Sequence, residues 1–400
     1  MKRLAIIGTV GVPGRYGGFE TMVDNILPYL TNNYNVTVFC SRKFYSKEER
    51  LENYKGAKLI YLPFNANGPQ SIVYDVLSLF LAVFNHQHIL SLGVSGGIAF
   101  PFVRRLTNRK LIVNIDGLEW RRAKWGRTAK SFLKYSERLA VKYSHADITD
   151  NMGIKRYTSI KYKTLSHLIP YGADHAKPIA IRPIDRLKYP FINGLYAFKV
   201  ARIEPENNLD MILEAFTDNG KRNLVVVGNW ENSKYGIYLK KNYSSYPNIH
   251  LLDPIYDPVL LNVIRSNAHL YIHGHSAGGT NPSLIEAMYL GLPVLAFDVS
   301  FNRYTTHDKA LYFKGREDLE LQLESFTYSD LVRVRTNLKE VANQHYTWKL
   351  VGRQYVMLLR SFEYNYKKSQ VALDLSRVSN KILLDQGIMH LSRTKHYYQK

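Results

Sequence analysis

Short apolar runs rich in β-branched residues recur along the chain, and stretches with helical periodicity separate them. Six such runs lie in the first half, at 4–8, 36–40, 58–62, 88–92, 111–115 and 146–149. Five more lie in the second half, at 195–201, 223–227, 250–252, 269–273 and 293–297. Strands that alternate with helices are typical of parallel sheets joined by crossover helices. The pattern therefore predicts an α/β protein with two parallel sheets.

The length of 400 residues suits two domains of ordinary size. A boundary is predicted after Asp174, because the next stretch carries three prolines and little periodicity. Near the end, apolar residues from Trp348 to Phe362 share one helical face, and Thr347 suits the N-cap position. The expected divisions are a first domain at 1–173, a linker at 174–193, a second domain at 194–345, a helix at 346–366 and a basic tail at 367–400.

The charge balance constrains the partner. Lysine and arginine number 54 against 33 aspartates and glutamates, which gives a net charge of +21. This excess indicates a polyanionic partner: a nucleic acid, an anionic membrane face or a phosphorylated small molecule. The single cysteine, Cys40, excludes a disulfide framework and a multi-cysteine metal site, so we expect a reducing compartment.

Apolar segments of the chain are too short to cross a membrane. The longest run, 72–84, contains Asp75 and has 13 residues, whereas a crossing needs about 20. The run at 4–8 is also too short for the core of a signal peptide and resembles a buried strand. We therefore expect a cytoplasmic protein that is soluble or peripheral on a membrane.

The first predicted strand leads into a glycine-rich segment, GTVGVPGRYGGFE, from Gly8 to Glu20. Glycines permit close backbone approach, and the N–H groups at the start of the following helix favour an anion. The spacing is neither that of a dinucleotide fingerprint nor that of a Walker loop, so it supports neither a dehydrogenase nor a P-loop ATPase. A long glycine-rich turn without a ligand is the alternative interpretation.

A second glycine-rich segment, GHSAGGTNPSLIEAMYLGLP, follows the predicted strand 269–273. Asn281 suits an N-cap, Pro282 the first helical position and Gly291 the C-terminal cap. Ligands of parallel sheets bind at the carboxyl ends of the strands, so a diphosphate fits against the start of this helix. Glu286, one turn inside the helix, is within reach of ribose hydroxyls. The residues expected to hold a nucleotide diphosphate here are Gly279, Thr280, Asn281, Pro282, Ser283 and Glu286.

These motifs, in this order, resemble the retaining, metal-independent glycosyltransferases of family four over roughly residues 1–365. The segments that carry the likeness are GTVGVPGRYGGFET, NIDGLEWRRAKW, RIEPENN and GHSAGGTNPSLIEAM. Together they resemble a narrower branch that contains bacterial β-1,4-rhamnosyltransferases of capsule and cell-wall polysaccharide assembly. The resemblance implies the GT-B fold, in which two Rossmann-like domains face each other and a carboxyl-terminal helix crosses back onto the first.

The resemblance also implies roles for individual residues. Glu286 matches a glutamate that binds the nucleotide ribose, and Arg202 matches the arginine that neutralises the diphosphate and so takes part in catalysis. Gly18, with its neighbour Gly17, matches a first-loop glycine that the phosphate of the nucleotide sugar approaches. Neither a cofactor nor a metal ion is expected, because the nucleotide sugar is itself the substrate.

The chain departs from the family pattern at two positions. Gly278 stands where the first glutamate of the family's Glu–seven residues–Glu motif is usual, so a carboxylate that touches the sugar is absent. Asn208 stands where a basic residue usually follows the arginine by six positions. These departures bear on the identity of the sugar and on the phosphate contacts.

Asp116 follows a predicted strand at a point where many relatives place a histidine that faces the sugar. Its carboxylate could bind an acceptor hydroxyl or stabilise positive charge in the transition state, or it could cap the next turn. A basic, aromatic cluster adjoins it and suits a lipid diphosphate or anionic headgroups. The residues expected to contact the acceptor are Tyr16, Glu119, Trp120, Arg121 and Arg122.

The sequence thus predicts transfer of a sugar, L-rhamnose from a deoxythymidine diphosphate donor, to a lipid-linked oligosaccharide. We expect this at the inner face of the bacterial plasma membrane, with an anionic membrane surface as partner. A UDP- or GDP-hexose is the alternative donor, and a GT-B epimerase or phosphorylase is the alternative enzyme. A basic nucleic-acid-binding protein is more distant, because no helix-turn-helix or RNA-recognition signature is present.

Overall fold

A computed structural model gives the fold and describes residues 1–15, 17–115, 117–122, 125–217, 222–364, 366–371, 378–386, 388 and 391. The chain divides into two compact units. Unit 1 comprises Met1–Tyr171 and Trp348–Lys400, and unit 2 comprises Gly172–Thr347. The chain therefore leaves unit 1, completes unit 2 and returns to unit 1.

Each unit contains one sheet. The strands of unit 1 are β1 (Arg3–Ile7), β2 (Asn35–Ser41), β3 (Asn53–Tyr54), β4 (Ala57–Leu62), β5 (His88–Leu92), β6 (Lys110–Ile115), β7 (Ala146–Thr149) and β8 (His167–Leu168). Those of unit 2 are β9 (Tyr196–Val200), β10 (Asn223–Val227), β11 (Ile249–Leu252), β12 (Leu270–His273), β13 (Val294–Phe297) and β14 (Leu311–Phe313).

Helices connect most of these strands. They are α1 (Gly18–Thr31), α2 (Ser71–Asn85), α3 (Phe100–Leu106), α4 (Arg127–Tyr143), α5 (Met152–Tyr162), α6 (Pro183–Lys188), α7 (Leu209–Thr217), α8 (Lys234–Tyr243), α9 (Pro258–Ser266), α10 (Pro282–Leu290), α11 (Ser300–Thr306), α12 (Arg316–Ser325), α13 (Tyr328–His345), α14 (Trp348–Ser361) and α15 (Asn380–Asp385). Among the described residues, no helix is both long enough and apolar enough to span a bilayer.

The sheet of unit 1 has the strand order β3-β4-β2-β1-β5-β6-β7-β8. Neighbouring strands pair in parallel, apart from the short antiparallel edge pair β3–β4. The central strand β5 is buried along its whole length, as expected for a parallel sheet with both faces covered. The direction of winding reverses between β1 and β5, which creates a crevice at their carboxyl ends.

The sheet of unit 2 has the order β11-β10-β9-β12-β13-β14, and all its strands are parallel. Its winding reverses between β9 and β12. Side chains of α7, α8 and α12 pack with the strands in one buried cluster that includes Phe216, Leu239 and Leu319. Two parallel sheets were predicted and are confirmed, whereas the short strands β3, β8 and β14 were missed.

Helix α14 packs on unit 1. Gly352 lies so close to α1 that an added Cβ would be 2.5 Å from the Tyr29 ring. On the same helix, the Tyr355 hydroxyl accepts a hydrogen bond of 2.7 Å from the side chain of Asn114 in β6. The helix therefore completes the core of unit 1.

The segments predicted as linker and tail both contain ordered contacts. Between 174 and 193 the structure has α6 and a 3-10 turn, Pro190–Asn193, in which Phe191 and Ile192 are buried. In the tail, Lys368 pairs with Asp147 at 2.5 Å. Backbone bonds between 163–165 and 369–371 attach this part of the tail to unit 1.

Candidate functional site

The second glycine-rich segment begins α10 as predicted. Asn281 caps the helix, with its Oδ1 accepting from the Ser283 amide at 3.1 Å, and Pro282 occupies the first turn. Gly291 ends the helix in the left-handed conformation, at φ 75°. The Ser283 hydroxyl donates to Asn281 at 2.7 Å and accepts from the hydroxyl of Tyr271 at 2.8 Å. The Ser283 amide and hydroxyl therefore serve the cap itself.

The loop 274–281 leaves β12 at the point where the winding of the sheet reverses. Ser276 donates to the Glu206 carbonyl through both its amide and its hydroxyl, each at 2.9 Å. Asn208 donates from its side chain to the Gly274 carbonyl at 2.8 Å. These bonds join the loop to the segment that follows β9, which carries Arg202. The structure thus brings the predicted diphosphate residues to one edge of one sheet.

Asn208 has a structural reason to differ from the basic residue of the family pattern. It adopts the left-handed conformation, at φ 51°, which asparagine tolerates better than most residues. Its amide also provides the loop contact with Gly274. The side chain of Arg202 is exposed, and its carbonyl accepts from Asn207 at 2.6 Å.

Gly278 also differs from the family pattern in backbone shape. Its φ is 135°, and a Cβ placed on it would meet nothing within 4 Å. Space for a side chain therefore exists, but residues other than glycine rarely adopt this conformation. The missing glutamate is accompanied by a backbone that a glutamate would strain.

Glu286 lies between two basic groups of unit 2. Its Oε1 is 2.9 Å from His175 Nε2, and its Oε2 pairs with Arg265. Arg265 is itself buried and donates from Nε to Asn262 at 2.7 Å. Burial alone would raise the pKa of Glu286, but the Arg265 charge and the His175 contact outweigh it and lower that pKa to about 2. The carboxylate is therefore ionised and held in one orientation.

The first glycine-rich loop is organised by a buried glutamate. Glu20 in the first turn of α1 accepts from the Thr9 hydroxyl at 2.9 Å and from the Val10 amide at 2.8 Å. Gly17 has a φ of 117°, and a Cβ there would clash with the Glu20 carboxylate. Gly18 begins the helix. The predicted pair of glycines thus adjoins a carboxylate that pins the loop at the carboxyl end of β1.

Two predicted site residues, Tyr16 and Asp116, lie outside the described residues.

Another glycine-rich loop, 93–99, lies beside the first loop. It follows β5, and the sequence analysis missed it. Gly93 has a φ of 85°, and a Cβ on Gly97 would clash with the Ser136 carbonyl. Three glycines among the five residues that follow a buried strand, in LGVSGG, were the signal for it.

Trp120, predicted to contact the acceptor, is an anchor of its own loop. It is 7% exposed, and its indole N–H donates to the buried Glu137 at 3.1 Å. The same carboxylate accepts from the hydroxyls of Tyr157 at 2.6 Å and Tyr162 at 2.5 Å. The ammonium of Lys134 lies 4.3 Å from the centre of the indole ring. This placement favours a structural role for Trp120 over stacking on a sugar.

Glu119 belongs to the same loop and is also engaged. Its carboxylate accepts from the Trp125 indole at 3.1 Å and pairs with Arg122 at 2.9 Å. Leu118, at φ 54°, turns the chain into the short 3-10 helix Glu119–Arg121. The Arg121 guanidinium lies 5.7 Å from the centre of the Trp120 ring. The predicted acceptor residues that the structure describes, Glu119 to Arg122, therefore lie in one short segment that follows β6 and is held by its own side-chain contacts.

The described residues contain no cluster of three or more histidine, cysteine, aspartate or glutamate side chains arranged to hold a metal ion.

Two family models match successive parts of the chain. Residues 1–174 match a domain of unknown function (DUF1972), and residues 188–341 match the glycosyl transferases group 1. No curated protein sequence matches the chain significantly.

Solved structures resemble the chain over nearly all its length. The sucrose-phosphate synthase of Thermosynechococcus elongatus aligns with 91% of this chain and 100% of its own, at a TM-score of 0.75 and 15% identity. A glycosyltransferase of Rickettsia africae aligns with 91% and 98% of the two chains, at 0.69 and 13%. Anabaena HepE in complex with UDP-glucose aligns with 90% and 100%, at 0.66 and 14%. At these identities the likeness concerns the fold, and it confirms the predicted GT-B class.

Proposed function

We propose that this chain, which has the GT-B fold and matches the glycosyl transferases group 1 at residues 188–341, transfers a sugar from a nucleotide diphosphate to a lipid-linked saccharide. The observation that carries the proposal is the arrangement at the reversal of the second sheet. Three features lie on adjoining elements there: the ionised Glu286, the start of α10 and the segment that carries Arg202. Such a crevice is where open parallel sheets bind their ligands.

The site suits a nucleoside diphosphate chemically. A carboxylate has about four acceptor positions, so Glu286 keeps capacity for ribose hydroxyls beside His175 and Arg265. The amino-terminal end of α10 favours the negative charge of a diphosphate. Arg202 supplies a full positive charge with a planar set of donors, which matches phosphate oxygens. HepE, which resembles this chain in fold, has been solved with UDP-glucose.

We propose a retaining reaction without a metal ion. The acceptor hydroxyl attacks the anomeric carbon from the face on which the diphosphate departs. The bond from that carbon to the diphosphate oxygen breaks as the new glycosidic bond forms, and the hydroxyl proton passes to the departing diphosphate. The protein then acts by positioning and by stabilising the leaving charge, through Arg202 and the backbone amides near α10. Turnover that persists in excess EDTA would support metal independence, and loss that Mg²⁺ restores would refute it.

Asp116, which lies outside the described residues, is proposed to bind an acceptor hydroxyl or to stabilise the positive charge that develops on the sugar. Asp116→Asn keeps the shape of the side chain while removing its charge. A large fall in turnover with an unchanged thermal midpoint would support the catalytic role. Near-normal turnover would favour the capping role.

L-Rhamnose from a deoxythymidine diphosphate donor is the proposed sugar. The motif resemblance supports it, through RYGGFE, DGLEW and RIEPENN. A physical argument adds to it, because Gly278 removes a carboxylate that could accept from hexose hydroxyls, and a 6-deoxy sugar has one hydroxyl fewer to satisfy. The backbone at Gly278, with a φ of 135°, disfavours a glutamate at that position.

An anionic membrane surface is the proposed partner of unit 1. Helix α2 exposes Val73, Phe80 and Phe84 at helical spacing, and Phe84 is 74% exposed. Arg109 donates to the Val83 carbonyl at 2.9 Å, which places a guanidinium beside Phe84. Apolar side chains next to basic groups favour binding to anionic lipid. This face of α2 is therefore proposed to bring the enzyme to a lipid-linked acceptor.

Product analysis tests the proposed reaction. The protein is incubated with separate nucleotide sugars and a bacterial membrane extract, and the lipid products are analysed by mass. A lipid product heavier by one deoxyhexose, formed only with the rhamnose donor, supports the proposal. Efficient transfer from UDP-glucose alone would refute the sugar but not the enzyme class. A change in the nucleotide sugar without transfer would indicate an epimerase or a phosphorylase.

Flotation with liposomes tests the membrane partner. Binding to liposomes that contain anionic lipid should weaken at high salt, because salt screens the charges. Phe84→Ser should reduce the binding, whereas Tyr328→Ser, at an even more exposed position of unit 2, should not. Equal binding by neutral liposomes would contradict the proposal.

A further inference from the structure

Lys199 is a lysine that is buried in the interior of unit 2. It lies in β9, is 0% exposed, and its Nζ makes no hydrogen bond with any residue that the structure describes. Its neighbour in the adjacent strand is Val226. Lysines are almost never fully buried without a partner, because removing the ammonium from water is costly. Lys199 therefore requires an explanation.

The side chain reaches the site at the reversal of the sheet. A Cβ added to Gly274 would lie 3.1 Å from Lys199 Nζ and would clash with the Asn207 carbonyl. Gly274 is the first residue of the loop that leads to α10, and Asn207 belongs to the turn after Arg202. The ammonium thus lies beneath the two segments that form the proposed diphosphate site, and the glycine leaves room for it.

Among the residues that the structure describes, no charged or titratable group serves as a counter-ion for Lys199. His273 on β12 is also buried, and burial together with the Lys199 charge lowers the pKa of His273 well below its usual range. The His273 ring stacks on His275 of the loop, with centroids 4.4 Å apart. Glu206 lies on the turn that carries Asn207, but its carboxylate does not offset the effect of burial on Lys199. Burial alone lowers the pKa of Lys199 to about 7. Near neutral pH, the side chain is therefore only partly protonated.

We propose that Lys199 provides a second positive charge for the diphosphate of the nucleotide sugar and takes up a proton when that diphosphate binds. This inference rests on the proposed function and adds a further positive charge to the same diphosphate site. A diphosphate carries two negative charges in a nucleotide sugar, and Arg202 offers one positive charge. Because Asn208 is neutral, the cation usual at that point of the chain is absent. Lys199 can supply the missing positive charge from below the loop. The diphosphate in turn acts as a counter-ion for Lys199.

The coupling of proton uptake to diphosphate binding can be measured in the wild-type protein. At pH 8 a group with a pKa of about 7 is roughly nine-tenths neutral, whereas the terminal phosphate of UDP, with a second pKa near 6, is ionised. Binding of UDP or dTDP should therefore take up close to one proton per nucleotide. Isothermal titration in two buffers with different ionisation enthalpies measures this number directly. The affinity should also fall as the pH rises from 7 to 9.

Lys199→Met tests the residue itself. Methionine has a similar length and no charge, so the variant should fold, with a thermal midpoint equal to or above that of the wild type. We expect no proton uptake attributable to this site and an affinity for UDP or dTDP lower by about tenfold or more, as for loss of a charge-assisted contact. Lys240→Met, which removes a surface lysine of the same unit, should change neither quantity.

The outcomes separate this inference from the proposed function. Nucleotide binding by the wild type without proton uptake would overturn the inference alone. Equal affinities of the wild type and Lys199→Met would do the same. No binding of either nucleotide by the folded wild type would overturn the proposed function and, with it, the inference.

Discussion

His175 Nε2 lies 2.9 Å from Glu286 Oε1, so the segment that enters unit 2 is bound to the helix that begins at its glycine-rich loop. The two residues are 111 positions apart in the sequence. With Arg265 on its other oxygen, Glu286 is presented in a fixed orientation rather than as a flexible side chain. Pre-orientation of this kind lowers the cost of ordering the site when a ligand binds.

The contacts of Glu286 decide which substitution tests it. Glu286→Ala would remove the proposed ribose contact and also leave Arg265 buried without its carboxylate, which costs about 3–5 kcal/mol of stability. Glu286→Gln also removes the charge opposite Arg265, but it keeps a hydrogen-bonding side chain there, so it should cost less stability than Glu286→Ala while weakening UDP or dTDP binding by about 1.5–3 kcal/mol. Titration calorimetry measures the affinity. Glu214→Gln, at a partly exposed site of α7, is the control, and an unchanged affinity in Glu286→Gln would remove Glu286 from the site.

Glu286 should also contribute to stability in acid. Its pKa is lowered from 4.5 to about 2 in the folded protein, so the folded state favours the ionised form. The resulting stabilisation is complete above the unfolded pKa, near 4.5, and is lost as the pH falls toward 2. Its full size is on the order of 3 kcal/mol. Denaturant unfolding from pH 6 to pH 3 should show a smaller decline for Glu286→Gln than for the wild type, and parallel declines would contradict the ion pair.

Arg202→Ala should slow sugar transfer without affecting the fold. The side chain is exposed, and the contact that holds the turn uses the Arg202 carbonyl, which the substitution keeps. Loss of one charge-assisted donor to a leaving group should cost about 10²–10³ in turnover. Single-turnover rates and thermal midpoints are to be compared with Arg333→Ala, an exposed arginine of α13. A wild-type rate in Arg202→Ala would exclude the residue from the reaction.

Gly17→Ala should destabilise unit 1 more than Gly68→Ala does. Both glycines have positive φ, 117° and 72°, so both substitutions strain the backbone by about 1–3 kcal/mol. Only at Gly17 would the new Cβ also clash, with the Glu20 carboxylate, whereas nothing lies within 4 Å at Gly68. Denaturant unfolding gives the two costs. Equal costs would mean that Glu20 moves aside freely, contrary to its bonds with Thr9 and Val10.

Local features of the site could be predicted from the sequence because neighbours in the chain determine them. The cap at Asn281, the proline at 282 and the terminating Gly291 are confirmed, and each depends on residues within one or two turns. The two parallel sheets are confirmed for a similar reason, since each main strand forms its own apolar run. The short strands β3, β8 and β14, of two or three residues, are too brief to give such a run.

Long-range contacts account for what the sequence did not reveal. Arg265 and His175 are 21 and 111 residues from Glu286, and no local pattern connects them. Trp120 seemed suited to a ligand because it lies among basic residues, but the buried Glu137 on α4 binds its indole N–H. Lys199 interrupts an apolar run, and only the packing of the sheet reveals that its side chain is enclosed.

The path of the chain through the two units sets the order in which a ribosome can complete them. Unit 2 is encoded without interruption by residues 172–347, whereas unit 1 also needs α14. Until α14 emerges, Tyr29 lacks its contact at Gly352 and Asn114 lacks the hydroxyl of Tyr355. Domains generally fold in order from the amino terminus during synthesis. Here α14 is synthesised after the whole of unit 2, so unit 1 can complete its native packing only once all the residues of unit 2 have been made.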